Sequence, residues 1–207
     1  DRMENLYGVA ADYAVLPELK AVAEYRHQDV FYRKEGETKN KSSEYLMAGA
    51  DYAVARKLSI SSRLGLEWRE RSAERDTTAP FAELSAKYDY TEKSFLLFGF
   101  GYNLEETSDT SRYNDTKIGR AFVSVQHSLT ALIVASGSIT YEPGTLQGRR
   151  GVANVSEKTV RTGAALSYLP TKNWIISASV DFDETWSQEA SRDLLRKRAG
   201  LSATYSF

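Results

Sequence analysis

Residues Leu194 to Phe207 read LLRKRAGLSATYSF, and this stretch decides how the rest of the chain is read. Its odd positions, Leu195, Ala199, Leu201, Ala203, Tyr205 and Phe207, are apolar apart from Lys197. Its even positions, Arg196, Arg198, Gly200, Ser202, Thr204 and Ser206, are small or polar. Strict alternation is the mark of a strand with two unlike faces, because successive side chains point to opposite sides of a sheet. Chain ends usually fray, so a long strand closing on Tyr205, a spacer and Phe207 is itself informative.

The same period recurs upstream. The cleanest case puts Leu58, Ile60, Leu64, Leu66 and Trp68 on one face, broken only by Ser62, with Ser59, Ser61, Arg63, Gly65, Glu67 and Arg69 on the other. Further strands are predicted at Tyr7–Val15, Leu19–Tyr32, Leu46–Val54, Ala82–Tyr90, Leu96–Leu104, Thr116–Gln126, Ala131–Tyr141, Val160–Tyr168 and Trp174–Trp186. With Leu58–Arg69 and the last stretch, that makes about eleven. Short turns (Pro17-Glu18, Ala55 to Lys57, Thr91 to Lys93, His127-Ser128, Leu169 to Lys172) alternate with long polar loops at 33–42, 70–79, 105–115, 143–157 and 187–193.

Composition narrows the class. The 207 residues carry 27 basic and 28 acidic side chains, a net charge of −1, which offers no basic footprint for nucleic acid. No apolar run approaches the roughly 18 residues of a membrane-spanning helix. Thirteen Tyr, eight Phe and three Trp against four Pro suit strands and membrane interfaces. The absence of Cys discriminates little.

Two architectures alternate in this way: a soluble sandwich with its apolar face inward, and a transmembrane barrel with its apolar face outward. Strand length, alternating loop length and aromatic placement favour the barrel. Trp174 and Trp186 share a face twelve residues apart, which at about 3.3 Å per residue and a tilt near 40° is roughly 30 Å along a membrane normal, the spacing of two aromatic girdles. Tyr205 and Phe207 fall near short turns, and Trp68, Tyr102 and Tyr141 near long loops. The fold expected is an all-β, antiparallel up-and-down transmembrane barrel in a bacterial outer membrane, over residues 1–207 as one unit. Lipid and lipopolysaccharide would be its surroundings.

The alternating apolar residues closing on Tyr205 and Phe207 resemble the C-terminal signature by which outer-membrane barrels are recognised by the barrel-assembly machinery, with Ser202 where Gly is frequent. If the last strand ends in the periplasm, counting back makes the first visible strand run from outside to inside. Bacterial single-chain barrels have even strand numbers, so at least one more strand is expected before residue 1. The preferred reading is the C-terminal portion of a longer barrel, and the second is a twelve-stranded barrel completed from elsewhere. The turns Leu16-Pro17-Glu18-Leu19, Ala55-Arg56-Lys57-Leu58 and Leu169-Pro170-Thr171-Lys172-Asn173-Trp174, with the terminal Leu201 to Phe207, resemble the outer-membrane β-barrel porin family. That resemblance implies a larger barrel and, for some members, an association with exopolysaccharide export and an export partner.

Charges on the polar face are candidate lumen and selectivity groups: Arg63, Glu67, Arg69, Glu83, Lys87, Arg120, Arg161, Asp181, Asp183, Arg196 and Arg198, with Lys20, Glu24, Arg26, Asp51, Asp89 and Lys117. They either select solutes in an open pore or pair with one another across strands and close it. Arg149 and Arg150 form an exposed basic tip suited to lipopolysaccharide or another anionic polymer. Barrel hydrolases and proteases need Ser-His or His-carboxylate sets; His127 is expected in a periplasmic turn and His27 beside Asp29, which gives no catalytic set. The acidic loop Asn103–Asp115 lacks ordered calcium-ligand spacing, and Gly148-Arg149-Arg150-Gly151 lacks the ending of a phosphate-binding loop. No cofactor or metal is expected. The function expected is a passive channel for hydrophilic solutes or the exit of a polysaccharide exporter. The competing class is an interaction barrel with a closed, salt-bridged lumen and partner-binding outer loops.

Overall fold

A computed structural model describes residues 2–33, 40–72, 76–107, 109, 111–149 and 151–206. Phe207 and Arg150 lie outside the described residues. The strands are β1 (Arg2–Leu16), β2 (Leu19–Tyr32), β3 (Lys41–Ala55), β4 (Leu58–Arg71), β5 (Thr77–Thr91), β6 (Ser94–Glu106), β7 (Tyr113–Ser128), β8 (Ile133–Gly148), β9 (Val155–Thr171), β10 (Trp174–Ser187) and β11 (Leu194–Tyr205). They form one antiparallel sheet in chain order, β1 to β11, and β1 and β11 are not paired to each other. Every residue of β11 is exposed.

Strands of 12 to 17 residues are long for a globular sheet, and one of 14 residues tilted by 40° spans about 36 Å. That exceeds a hydrocarbon core. The burial pattern then separates barrel from sandwich. In β4, Leu64 is 65% exposed while Glu67 is 0% exposed, so the apolar face of the strand points out and the charged face points in. Neighbouring strands continue the outward band in register: Tyr25, Leu46 and Leu66 follow one another across β2, β3 and β4, and Phe98, Val123 and Ile139 across β6, β7 and β8. A contiguous apolar surface of this kind is foreign to a soluble monomer and native to lipid.

Several boundaries differ from the sequence expectation. The Gly-rich segment expected as a loop over 143–157 is mostly strand: β8 runs on to Gly148 and β9 begins at Val155. Pro143 lies opposite Lys158 in β9, and the β7–β8 pairing is interrupted at 142 and 143, between Ile118–Gly144 and Ala121–Tyr141, where a residue without an N–H is tolerated. His127 and Ser128, expected as a turn, end β7, and the turn is Leu129–Leu132, closed by the Leu129 and Thr130 amides donating to the Ile133 carbonyl at 2.9 and 3.2 Å. The loops expected at 33–42 and 70–79 shrink because Lys41 and Ser42 pair with Arg71 and Glu70, and Thr77 to Ala79 with Arg69 to Glu67. The alternation of short and longer connections survives. Gly151, at φ 86°, turns the 149–154 connection in a backbone conformation that favours glycine.

One departure from a plain barrel wall shapes the inside. β6 pairs with β5 only as far as Tyr102 opposite Ala82, whereas β6 and β7 stay paired to Glu106 opposite Asp115. Beyond Tyr102 the β6–β7 end parts from β5 and reaches residues on the inner face of β1 to β4. Glu106 accepts from Arg2 at 3.0 Å, pairs with Lys41 at 3.4 Å and accepts from the Tyr32 hydroxyl. Asp115 accepts from Arg69 Nη1 at 2.6 Å and pairs with Arg71.

Candidate functional site

The inward face is the candidate site, and its two halves are built differently. Across β3 to β7, towards the longer connections, it is packed. Met47, Phe81, Leu104 and Tyr113 are buried there, and Leu146 at the far end of β8 joins them, with Tyr45 set edge-on to Phe81 at 5.8 Å. Arg69, at the centre, donates to Glu67 at 2.5 Å, Ser43 at 3.1 Å, Asp115 at 2.6 Å and the Leu104 carbonyl at 3.1 Å. Burying a guanidinium is tolerable only when its donors are taken up in this way. Glu67 and Arg69 therefore face inward, as the alternation predicts, but are sealed from solvent at 0% and 3% exposure. Below them Gly99 lies under Phe122, and a Cβ on residue 99 would overlap the Phe122 ring.

Arg63 makes a fork-to-fork pair with Asp51 at 2.8 and 2.9 Å and approaches Glu24 at 3.9 Å. Glu83 stands opposite Arg63 in the β4–β5 register. Lys87 does not pair with Glu83; it takes Asp89 at 2.9 Å and sits 5.1 Å from the centre of the Phe95 ring.

From β7 to β11 the inner face is different. Arg120 pairs with Glu142 and with Glu105 at 3.0 Å, and Arg161 pairs with Glu142 at 2.5 Å. Arg196 donates twice to Asp183, at 2.8 and 2.5 Å, and Arg198 is 3.6 Å from the same carboxylate. Asp181 stands opposite Arg198. Glu142 and Glu105, absent from the sequence-based set, complete this row. Glu142 alternates correctly with Tyr141, so extending the strand past residue 141 would have found it.

Towards the short turns the same wall carries small groups. Ser124, Ser136, Ser138, Gly163, Ala165 and Ser179, with the Asp181 carboxylate, line a shallow groove of about 200 Å³, and Ser167 and Ser177 share a hydrogen bond of 2.8 Å beyond it.

The outward aromatic residues lie near both rims. Trp174 and Tyr205, on neighbouring strands at the short-turn end, have ring centres 5.1 Å apart. Trp68, Tyr141 and Trp186 are exposed in the half nearer the longer connections, and Tyr102 is half-buried. His27 contacts Asp29 at 3.1 Å and lies beside Tyr7; His127 bonds the Tyr90 hydroxyl at 2.9 Å. The carboxylates of the acidic loop are engaged, Glu105, Glu106 and Asp115 by cations and Asp109 by Ser111 at 2.6 Å.

Among the described residues, the connections around Arg112, Arg149 and Glu189 form a small cap that sequence reasoning missed. The Arg112 and Arg192 guanidiniums lie 5.4 and 5.7 Å from the centre of the Tyr113 ring. Glu189 accepts from Arg112 at 2.7 Å and from the Tyr113 hydroxyl at 3.2 Å, and Arg192 donates to Glu157 at 2.5 Å. The Arg149 amide donates to the Arg112 carbonyl at 2.9 Å, which joins the basic tip to the cap. The Arg112 hydrogen bond holds the Glu189 carboxyl below the usual carboxylate range.

No protein-family model and no curated protein matches the sequence. Among solved structures, the whole chain matches the copper transporter OprC at 12% identity and a TM-score of 0.70, covering 43% of that chain. It matches the iron transporter FrpB of Neisseria meningitidis over its whole length at 10% identity and a TM-score of 0.68, covering 41% of that chain. The outer membrane channel DcaP of Acinetobacter baumannii is matched over 97% of this chain and 62% of its own, at 15% identity and a TM-score of 0.61. The chain thus spans about two fifths of the two transporters. At these identities the likeness is one of fold, and with its apolar face outward and its charged face inward this chain has the wall of a bacterial outer-membrane β-barrel.

Proposed function

We propose that the protein is an outer-membrane channel for hydrophilic solutes, and that β7 to β11 supply the wall along which they pass. The observation that carries this reading is the pairing, on one inner face, of half-exposed guanidiniums with a groove of serine, glycine and alanine, since small hydroxyl side chains leave room for hydrated solute. On this reading β1 and β11, which run in the same direction in a strictly up-and-down sheet, are joined by an odd number of further strands, so that every pairing stays antiparallel. This chain then supplies eleven strands of a larger barrel. Tyr205 and Phe207 would be the point of recognition by the assembly machinery, and Arg149 with Arg150 a contact for lipopolysaccharide. Export of polysaccharide rests on the family resemblance alone.

A second reading is favoured by the β6–β7 end folded over the inner face and the buried Arg69 cluster: a closed barrel that presents its capped outer loops to a partner. The two part on conductance. Full-length protein containing this chain, inserted in planar bilayers, is expected to give discrete current steps; silent insertion at matched protein density would leave the closed barrel.

A further inference from the structure

The row of ion pairs from β7 to β11 is balanced in formal charge but not in what it shows to solvent. The Glu142 and Asp183 side chains are 3% and 8% exposed, whereas Arg120 and Arg161, inside the sheet, are 40% and 49% exposed, and Arg196 and Arg198, on the edge strand β11, are 49% and 54% exposed. Each of these carboxylates is gripped from two sides, Glu142 by Arg120 and Arg161, Asp183 by Arg196 and Arg198. A guanidinium has five donors, and these contacts occupy only part of each set. Among the described residues, the more accessible inward carboxylates of these strands are Glu105, 37% exposed, Glu157, 18% exposed and paired with Arg192, and the half-buried Asp181. A solute following this wall therefore meets N–H donors first.

Four strand steps at about 4.8 Å spread the guanidiniums over a band of about 19 Å. Immediately on the short-turn side, the band meets the serine-lined groove. Arg161 and Arg196 stand at one register level on either side of Asp183, so the guanidiniums form an arc around the wall; because each is already partly neutralised, it holds an anion weakly and lets a passing solute go on.

We infer that Arg120, Arg161, Arg196 and Arg198 form an oxyanion-binding ladder, which takes the carboxylate or phosphate groups of small hydrophilic solutes by guanidinium hydrogen bonds and makes the pathway anion-selective. The planar fork of arginine suits both groups, and the covered positions of Glu142 and Asp183 keep them from competing for cations. The inference rests on the channel reading above.

Full-length protein in planar bilayers under a KCl gradient tests both statements separately. The wild-type reversal potential is expected to have the sign of a chloride-preferring pore, and inorganic phosphate or acetate added to one side is expected to reduce chloride current; the better blocker identifies the preferred oxyanion. The triple substitution Arg161→Gln, Arg196→Gln, Arg198→Gln uncovers Asp183 and half of the Glu142 shell. It should invert the sign of the reversal potential and abolish the block while current steps persist. Lys197→Gln, on the outward face opposite Phe182, should change neither. If the triple variant does not insert, Arg198→Gln alone should move the reversal potential part of the way in the same direction. Current steps with potassium preference in the wild type, or selectivity and block that survive the triple substitution, would overturn the ladder and leave the channel standing. An absence of current steps would remove the channel reading and the ladder with it.

Discussion

The inner faces of β3 to β6 and of β7 to β11 obey the same alternation and have opposite consequences. Both present arginines and carboxylates to the inside. In the first region Arg69 is buried with Glu67, Asp115 and Ser43 among Met47, Phe81 and Leu104. In the second, Arg161, Arg196 and Arg198 stand half in solvent over small side chains. The difference comes from what lies across the inner face: the β6–β7 end leaves β5 beyond Tyr102 and covers the first region. Charge on the polar side of a barrel strand is thus a core component where the wall folds over itself and a solute contact where it does not.

The largest effect should come from breaking the covered region at its centre. Arg69→Ala leaves Glu67 and Asp115 buried, with Arg71 the remaining cation on Asp115, and breaking a buried pair in this way costs about 3 kcal/mol or more. Urea unfolding in detergent or lipid, followed by the loss of β-sheet circular dichroism, measures it. Met47→Ala, at a buried apolar site in the same cluster, should cost about 2–3 kcal/mol by the same assay. Gly99→Ala forces the Phe122 ring aside and should cost about 1–2 kcal/mol through overpacking; pairing it with Phe122→Leu should recover part of that loss. Arg196→Gln tests the other side of the comparison. Here only the guanidinium is half-exposed, the Asp183 carboxylate being covered, and Arg198 remains 3.6 Å from that carboxylate, so the loss of stability should stay clearly below that of Arg69→Ala while ion preference shifts. An Arg196 variant as destabilised as Arg69→Ala would erase the distinction between the two regions.

The smallest effect expected is confined to the cap. The Glu189 carboxyl is depressed by the Arg112 hydrogen bond, so its contribution is fully present above the ordinary carboxylate pKa and is lost as the pH falls through the depressed value. Acidification below the carboxylate range should raise amide hydrogen exchange around 187–193, with little change in β3 to β6; Glu189→Gln should show the raised exchange already at neutral pH.

Much of the wall was legible in the sequence, because alternation depends only on the strand period. Leu64, Leu66 and Trp68 against Arg63, Glu67 and Arg69 give the two faces of β4 without any tertiary knowledge, and the direction in which they point follows from strand length and aromatic placement. Other features were not legible. Glycine and proline at 143–144 suggest a loop, yet pairing of Gly144 with Ile118 and Glu157 keeps the strand going. Nothing in the alternation of β6 marks Tyr102 as the point where it parts from β5, so sequence alone cannot separate the buried Arg69 from the half-exposed Arg161. The cap depends on Arg112, Tyr113, Glu189 and Arg192, which are 76 or more residues apart across the two loops and share no local pattern.

The account stands on the orientation of the two faces, and these 207 residues have no cysteine, so single thiols report on it cleanly once any cysteine elsewhere in the full-length protein is replaced by serine. Leu166→Cys lies on the outward face and Ser179→Cys on the inward one. In full-length protein folded into lipid vesicles, Ser179→Cys should react with a membrane-impermeant maleimide, while Leu166→Cys should resist it and, once carrying a fluorophore attached before folding, be quenched by brominated lipid. The opposite result, a lipid-quenched label at 179 and a water-reactive thiol at 166, would contradict the barrel wall and everything built upon it.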